Sequence, residues 1–362
     1  RNWDMRVALD ATPMIGTRTG IGVFVTELFG AMQTMRQRGA DVEVIAYTLS
    51  VRARLRGQTQ GVWVPLPASR APTVWRWFKG PRIETFVRGV DVVHGTNYLV
   101  PPSIHPRVVT VHDLSFLHDS GAASALTARF EGAVTDAVKS GAVVHTISNY
   151  VAEEIRDRYC APDVRVVYPG VHPRRQRTRE EDHRPVLLAL GATQRRKGLH
   201  DLVKAFELIG QVNKNVELHI VGPPGDDEDR VNQSVRQLPD NLATRVQRIG
   251  FVNDQERDRR VADAAILVQP SHYEGFGFPI VEAMASGTPV VTTSGGAIPE
   301  IAREAALMVD AGDVDALAGA LMTALEDQEI RERLVRAGRE RAAMFSWADT
   351  ASGIVDVYRS LL

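Results

Sequence analysis

Two glutamates separated by seven residues stand in the stretch Ser271-His272-Tyr273-Glu274-Gly275-Phe276-Gly277-Phe278-Pro279-Ile280-Val281-Glu282-Ala283-Met284. A carboxylate accepts from two hydroxyls at once, so Glu274 and Glu282 suit the vicinal diols of one ligand. Pro279 fits a first helical turn, and Gly287 and Pro289 fit its end. The spacing therefore predicts a helix N-terminus with free N–H groups near Phe278, Ile280 and Val281, where a phosphate is favoured. By residue type alone, a glycine-containing loop with one capping glutamate is an equal reading. Arg196 and Lys197 sit in Gly191-Ala192-Thr193-Gln194-Arg195-Arg196-Lys197-Gly198. Adjacent cations can stabilise charge developing on a diphosphate leaving group, although such a loop is also an ordinary solvated surface.

Three further stretches carry chemistry-bearing residues. Asp10 to Gly22 (DATPMIGTRTGIG) is a glycine-bearing loop expected to precede a helix from Val23. Its Gly16, Gly20 and Gly22 permit close backbone approach to a phosphate or sugar. It lacks the G-x-G-x-x-G spacing of a nicotinamide site, because Val25 stands where the third glycine belongs. Val109-Thr110-Val111-His112-Asp113-Leu114 reads as a buried strand ending in a polar pair, either a structural hydrogen-bonded pair or a ligand contact. Asp227-Glu228-Asp229 has the D-x-D spacing of some metal sites but lies in an acidic run flanked by proline and glycine, and reads as a solvated loop. No other His/Cys/Asp grouping has ligand spacing, so no metal is expected.

These motifs follow short β-branched runs that alternate with helical patterns, the sign of parallel strands joined by helices. Strands are expected at Met5–Leu9, Val42–Tyr47, Val90–His94, Val108–His112, Val143–Ile147 and Val164–Tyr168. A second set follows at Val186–Leu190, Val216–Val221, Val246–Ile249, Ala265–Gln269, Val290–Thr292 and Ala306–Val309. The class is α/β, with a Rossmann-like domain over 1–170, a linker over 171–184, a second such domain over 185–345 and a C-terminal helix over 346–362. Ile354, Val355, Val357, Tyr358 and Leu361 in that helix fall at helical spacing, so it should dock on something. Two such domains side by side leave a cleft at the carboxyl ends of both sheets, where ligands bind in open α/β folds.

Composition narrows the partners. The 43 lysines and arginines nearly balance 44 acids, so no whole-chain field favours nucleic acid. A single cysteine, Cys160, rules out an internal disulfide and fits a reducing cytosol. No apolar run reaches the roughly 20 residues of a membrane span, and the first residues lack a signal-peptide core. A cytoplasmic protein is expected. From Arg52 to Arg88, basic residues interleave with Trp63, Trp75, Trp77, Phe78 and Phe86. That segment suits either contact with anionic lipid at the inner face of the cytoplasmic membrane or an aromatic helix with a wet basic face.

The string from Glu274 to Val290 resembles the retaining family-four glycosyltransferases, whose signature is E-G-F-G-x-P-x-x-E-A-x-A-x-G-x-P-V. Glu274, Glu282, Ala283, Ala285, Gly287, Pro289 and Val290 stand at its positions. The resemblance implies a GT-B fold, two Rossmann-like domains facing a central cleft, with the C-terminal helix returning to the N-terminal domain. It implies that Glu274 contacts the transferred sugar, Glu282 holds the ribose, and Arg196 and Lys197 face the diphosphate. The strand-end His112 would meet the sugar at the reacting carbon, and the glycine loop with Ile21 would close over the ligands. Gly250-Phe251-Val252 resembles the stretch whose backbone reads the base, with Glu300 near it and Gly222 turning beside the nucleotide. Asn97, Tyr98 and Asp113 fall on the acceptor side. The implied activity is retaining, metal-free and cofactor-free transfer from a nucleotide diphosphate sugar to a glycan or lipid-linked acceptor. "TVHDLSFLH", "RRKG" and "SHYEGFGFPIVEAM" most resemble bacterial mannosyltransferases using GDP-mannose, with UDP- and dTDP-sugars open and a GT-B epimerase or a silent carbohydrate-binding subunit as rival readings.

Overall fold

The computed structural model describes residues 5–16, 19–118, 125–172 and 184–362, so most of the expected linker lies outside the described residues. The chain divides into two compact units, 1–170 with 346–362, and 171–345.

Within the described residues of the N-terminal unit, β1 (Met5–Asp10), β2 (Val42–Thr48), β3 (Val62–Trp63), β4 (Val92–Gly95), β5 (Arg107–Val111), β6 (Val143–Thr146) and β7 (Val164–Val166) form one sheet. Its order is β3-β2-β1-β4-β5-β6-β7. The second unit carries β8 (Val186–Leu190), β9 (Glu217–Val221), β10 (Val246–Ile249), β11 (Ile266–Gln269), β12 (Val290–Thr293) and β13 (Leu307–Val309) in the order β10-β9-β8-β11-β12-β13. Every strand pair is parallel, with Val7 opposite Val44, Val109 opposite Val144 and Val268 opposite Val291. The central strands β4, β6, β11 and β12 are buried along their whole length, which is why they read as continuous apolar runs, whereas the edge strands β3, β10 and β13 are only half-buried or exposed. In each sheet the order reverses beside the first strand, between β1 and β4 and between β8 and β11. Ligands bind outside the carboxyl ends of strands at such switch points.

Three local expectations need correction. The first long helix spans Gly20–Gln37, beginning three residues before Val23, because the Thr19 hydroxyl caps it by accepting from Gly22 N at 3.1 Å. Gly20, Ile21 and Gly22 thus form a helical turn, and a Cβ on Gly22 would stand 2.7 Å from the Pro13 carbonyl oxygen. The segment 52–88 contains the unexpected edge strand β3, paired through Val62 with Tyr47 and through Trp63 with Thr48. Its helix Ala71–Phe78 buries Trp75 but leaves Trp77 and Phe78 exposed at 77% and 79%. Asp227 is not in a solvated loop: it is buried at the start of helix Glu228–Gln237, and burial raises its carboxyl above the usual range.

The C-terminal helix Trp347–Arg359 packs on helix Gly20–Gln37 and buries Trp347, Ile354, Val355 and Tyr358. The entry to it is tight, since a Cβ on Gly170 would fall 2.2 Å from Trp347 N. Tyr358 closes a buried polar chain: its hydroxyl is 2.6 Å from His94 Nδ1, His94 Nε2 is 2.7 Å from Thr110 Oγ1, and Thr110 Oγ1 is 2.9 Å from His145 Nδ1. Burial holds His94, His112 and His145 below the usual imidazole range, His145 at about 3. These groups bind protons more readily when unfolded, so their contribution is complete above about pH 6.5 and is lost as pH falls. Buried Asp10, raised to about 6, and buried Asp227, also raised, work in the opposite sense, two carboxyls against three imidazoles. Unfolding free energies from urea titration should therefore fall between pH 6.5 and 4.5, by about 1.4 kcal/mol per pH unit from His145 alone. A flat profile across that window would contradict the buried neutral imidazoles.

Candidate active site

In the second unit, Arg196 and Lys197 occupy a tight turn, Arg195–Lys197, directly after β8. Gly198 follows with φ +62°, and a Cβ there would stand 2.0 Å from the Pro270 carbonyl oxygen. Only glycine lets this turn lie against the loop after β11, where His272 N donates to Arg196 O at 2.7 Å. The two loops deliver opposite charges to one point. Lys197 Nζ lies 2.6 Å from Glu274 Oε1, and Arg196 Nη1 lies 3.4 Å from Oε2. Gln269 Nε2 and Ser271 Oγ donate to the same Oε1 at 2.6 and 2.7 Å. Burial alone would raise the Glu274 carboxyl, but Lys197 and Arg196 outweigh it and hold it at about 2. It is a carboxylate at any physiological pH.

Glu282 lies in helix Phe278–Ser286, buried and paired with Arg257 from helix Asp254–Asp263. Burial opposes the Arg257 charge, but the Glu282 carboxylate raises its affinity for the proton. The helix start differs from expectation. The amides of Ile280 and Val281 both turn back to the Gly277 carbonyl, at 3.0 and 3.4 Å, so neither is a free donor, and both side chains are buried. Gly277 is the residue just before the helix, and its carbonyl accepts the first i→i−4 bond, from Val281, as in any α-helix, together with a tighter i→i−3 bond from Ile280. Phe278 is half-buried at the first helical position. Gly222, at φ +149°, ends β9 against the β8 loop, where a Cβ would meet Gly191 O at 2.1 Å. Phe251, just past β10, is exposed, and Val252 is half-buried. Glu300 lies in helix Ile298–Ala302, its carbonyl accepting from Arg341 Nη2. Asp227-Glu228-Asp229 is engaged elsewhere, with Glu228 bound by Arg248 and Thr193. Among the described residues, no group of three or more His, Cys, Asp or Glu side chains is arranged to hold a metal.

In the N-terminal unit His112 follows β5, buried, with Nε2 donating to the Thr96 carbonyl at 2.9 Å. That bond fixes the tautomer and leaves Nδ1 as an acceptor for a ligand hydroxyl. Asp113 Oδ1 accepts from Tyr98 Oη at 3.2 Å and from Ser115 N and Oγ at 3.0 and 2.8 Å. Tyr98 is buried against Phe116 and Phe130, so this pair builds the wall behind the strand ends. Asn97 lines a cavity that Tyr98 and Asp113 do not. Gly16, at φ +91°, and Gly20 are exposed with open space around them. Gln269, Ser271, Arg257, Thr96 and Asp10 were not singled out from the sequence as site residues, although each fixes or flanks one that was.

Two Rossmann-like units and a buried carboxylate–cation cluster at strand ends define a class, the GT-B glycosyltransferases. Residues 18–175 match the family described as Glycosyltransferase Family 4, and residues 172–341 match Glycosyl transferases group 1. An O-antigen chain mannosyltransferase B of Escherichia coli is 28% identical over 292 residues, covering 75% of this chain and 74% of that one. A glycogen synthase of Mycobacterium tuberculosis is 30% identical over 291 residues, 74% of this chain and 68% of that one. The sucrose-phosphate synthase of Thermosynechococcus elongatus shares the fold, with a TM-score of 0.76 over 99% of both chains at 22% identity. The chain belongs to the family-four glycosyltransferases of the GT-B fold.

Proposed function

We propose that this glycosyltransferase is a retaining, metal-independent enzyme that moves mannose from GDP-mannose to a glycan or lipid-linked acceptor in bacterial glycoconjugate synthesis. The observation that carries the site is the buried contact of Lys197 and Arg196 with Glu274. Two cations held by a fixed carboxylate are preorganised for a diphosphate and need no reorganisation as charge develops. In the proposed step the C1–oxygen bond to the diphosphate breaks and the acceptor oxygen bonds C1 on the same face. The acceptor proton passes to the departing phosphate oxygen. Glu274 and the Nδ1 of His112 take sugar hydroxyls, and Glu282, steadied by Arg257, takes the ribose diol. Gly222 and the Phe251-Val252 stretch flank the nucleotide, and Phe278 stands at the start of the helix that carries Glu282.

The mannosyltransferase relative supports mannose as the transferred sugar. The glycogen synthase relative supports a second reading, in which a UDP- or dTDP-sugar feeds a polysaccharide acceptor. Exposed Trp77 and Phe78 beside Arg76 and Lys79 are compatible with a peripheral anionic membrane contact, and no helix among the described residues is long and apolar enough to cross a membrane. Thermal-shift titration with GDP, UDP, dTDP and ADP, with and without EDTA, tests the reading. Stabilisation by GDP alone, unchanged by EDTA, is the expected result. Preference for UDP or dTDP selects the second reading, and loss of the shift in EDTA removes metal independence.

A further inference from the structure

His272 stands in the loop after β11, just ahead of Glu274, and bridges to the turn Arg195–Lys197 in two ways. Its main-chain N donates to Arg196 O at 2.7 Å, and its Nε2 lies 2.8 Å from Asp201 Oδ2. Asp201 belongs to the first turn of helix Leu199–Val212, which starts directly after the cation turn and Gly198, and its own amide donates to Gly198 O at 3.1 Å. Glycines from three separate loops leave room for this bridge. A Cβ on Gly198 would stand 3.3 Å from His272 Cδ2, one on Gly312 3.5 Å from Cε1, and one on Gly295 2.6 Å from the His272 carbonyl oxygen. The imidazole is thereby set in a slot against one carboxylate, between the loop that carries Glu274 and the turn that carries Arg196 and Lys197.

The charges around the pair favour its ionised form. The hydrogen bond from Asp201 raises the His272 imidazole above its usual range, against burial and Arg230, with Asp227 at the cap of helix Glu228–Gln237 adding to the rise. Burial would lift the Asp201 carboxyl, but the bond to His272 and the charges of His272, His200 and Arg230 hold it below the usual range. Across Gly312, Asp310 and Asp313 accept from Ser294 Oγ and the Ala316 amide, and on the loop of His272 itself Glu274 is taken by Lys197 and Arg196. A charged imidazole makes a bond about twice as strong as the neutral Nε2–H does. Placement matters here, because a shift of about 1 Å in an aligned group can cost about 10²-fold. We propose that Asp201 and His272 are positioning residues, an ion-paired clasp that holds the cation turn to the Glu274 loop and sets Arg196 and Lys197 at the spacing a diphosphate needs. This inference rests on the transferase reading above and adds a regulation of its donor site. The clasp grips fully below the ordinary imidazole value of 6.5 and loosens as pH rises through the raised one, so diphosphate binding weakens on the alkaline side.

The test titrates the full chain with pyrophosphate and with GDP by calorimetry at about pH 6 and about pH 8.5, in about 0.15 M salt so that distant charges are screened. His272→Gln keeps a donor for Asp201, and Asp201→Asn keeps an acceptor for His272, but each removes the charge. Both should weaken both ligands about three- to fivefold at the lower pH, the size fitting a pair with side chains 43% and 18% exposed, and differ little from wild type at the higher pH. Ionisation of the ligands is common to every variant and cancels in each ratio. His272→Ala, which removes the bond as well, should weaken binding at both pH values. NMR titration of the His272 imidazole, which needs no ligand, should give a midpoint above 6.5 that falls in Asp201→Asn. Equal losses at both pH values in the Gln and Asn variants would reduce the pair to a structural contact and overturn the proposal. Tighter binding in Asp201→Asn would also overturn it, since that is the sign expected if the imidazolium met the diphosphate directly, as would a midpoint at or below 6.5. Wild-type binding intact alongside any of these confines the failure to the clasp, whereas a wild type that binds neither pyrophosphate nor GDP sinks the donor-site reading and the clasp with it.

Discussion

Lys197→Ala should lower the transfer rate roughly 10²–10³-fold, the loss that follows removal of one preorganised donor from a site of developing charge. Glu274 is largely buried with Lys197 Nζ at 2.6 Å, so the substitution also strips a charge partner from a poorly solvated carboxylate. Arg196, Gln269 and Ser271 remain around it. Folding stability should therefore fall by a smaller amount, and its pH dependence is the sharper readout. A Glu274 carboxyl near 2 contributes stability that is present above the unfolded value of about 4.5 and lost as pH falls towards 2. In Lys197→Ala the folded carboxyl moves up towards that unfolded value, so the acid-side loss should shrink. Adding Glu274→Gln should recover stability relative to the single variant, though not activity, since the coupling between the two is removed with the charge. Steady-state transfer and urea unfolding between pH 3 and 6 measure both halves. A rate within threefold of wild type would remove Lys197 from the machinery.

Arg257→Ala should destabilise the C-terminal unit by about 2–3 kcal/mol, because it leaves a buried carboxylate without its strongest cation. The Arg257 side chain is 26% exposed and that of Glu282 only 10%, so the pair sits at the milder end of buried ion pairs. The same substitution removes the arginine that steadies Glu282; if Glu282 takes the ribose diol as proposed, nucleotide affinity should fall while pyrophosphate affinity changes little. Arg257→Lys should keep most of the stability but not the geometry, because an ammonium cannot reproduce a planar fork. Differential scanning calorimetry with GDP and with pyrophosphate separates these effects. Equal losses for both ligands would show that Arg257 supports the whole unit rather than Glu282.

The sequence carried some of this organisation plainly and hid the rest for physical reasons. Alternating β-branched runs and helical periods are local signals, so both parallel sheets were readable, including most strand ends within two residues. The two-residue β3 was not, because Val62 and Trp63 become a strand only through the edge of β2. Arg196, Lys197 and Glu274 are readable as types, and their meeting depends on glycines that let loops approach, Gly198 above all. Partners supplied from distant elements left no local trace. Arg257 lies in a helix whose pattern, Asp254-Gln255-Glu256-Arg257-Asp258-Arg259-Arg260, reads as solvated surface throughout. Nothing along the chain distinguishes the arginine that turns inward from those that do not. The misplaced helix start had a visible signal, since Thr19 three residues ahead of Gly22 is a capping residue. Of the helix-start amides, that of Val281 already falls on the first i→i−4 bond of a helix beginning at Phe278, and the Ile280 amide is taken by an i→i−3 bond that residue type does not announce.

The return of residues 346–362 to the first unit bears on how the chain is made. During synthesis, domains generally fold as units in the order they emerge. Here the segment 171–345 is continuous and can close as soon as it clears the ribosome. The earlier segment cannot: Phe24 and His94 await Trp347 and Tyr358, which are translated only after all of 171–345. A nascent chain stalled before Ser346 should thus protect its middle from protease while its beginning remains cleavable. The half synthesised first is the half finished second.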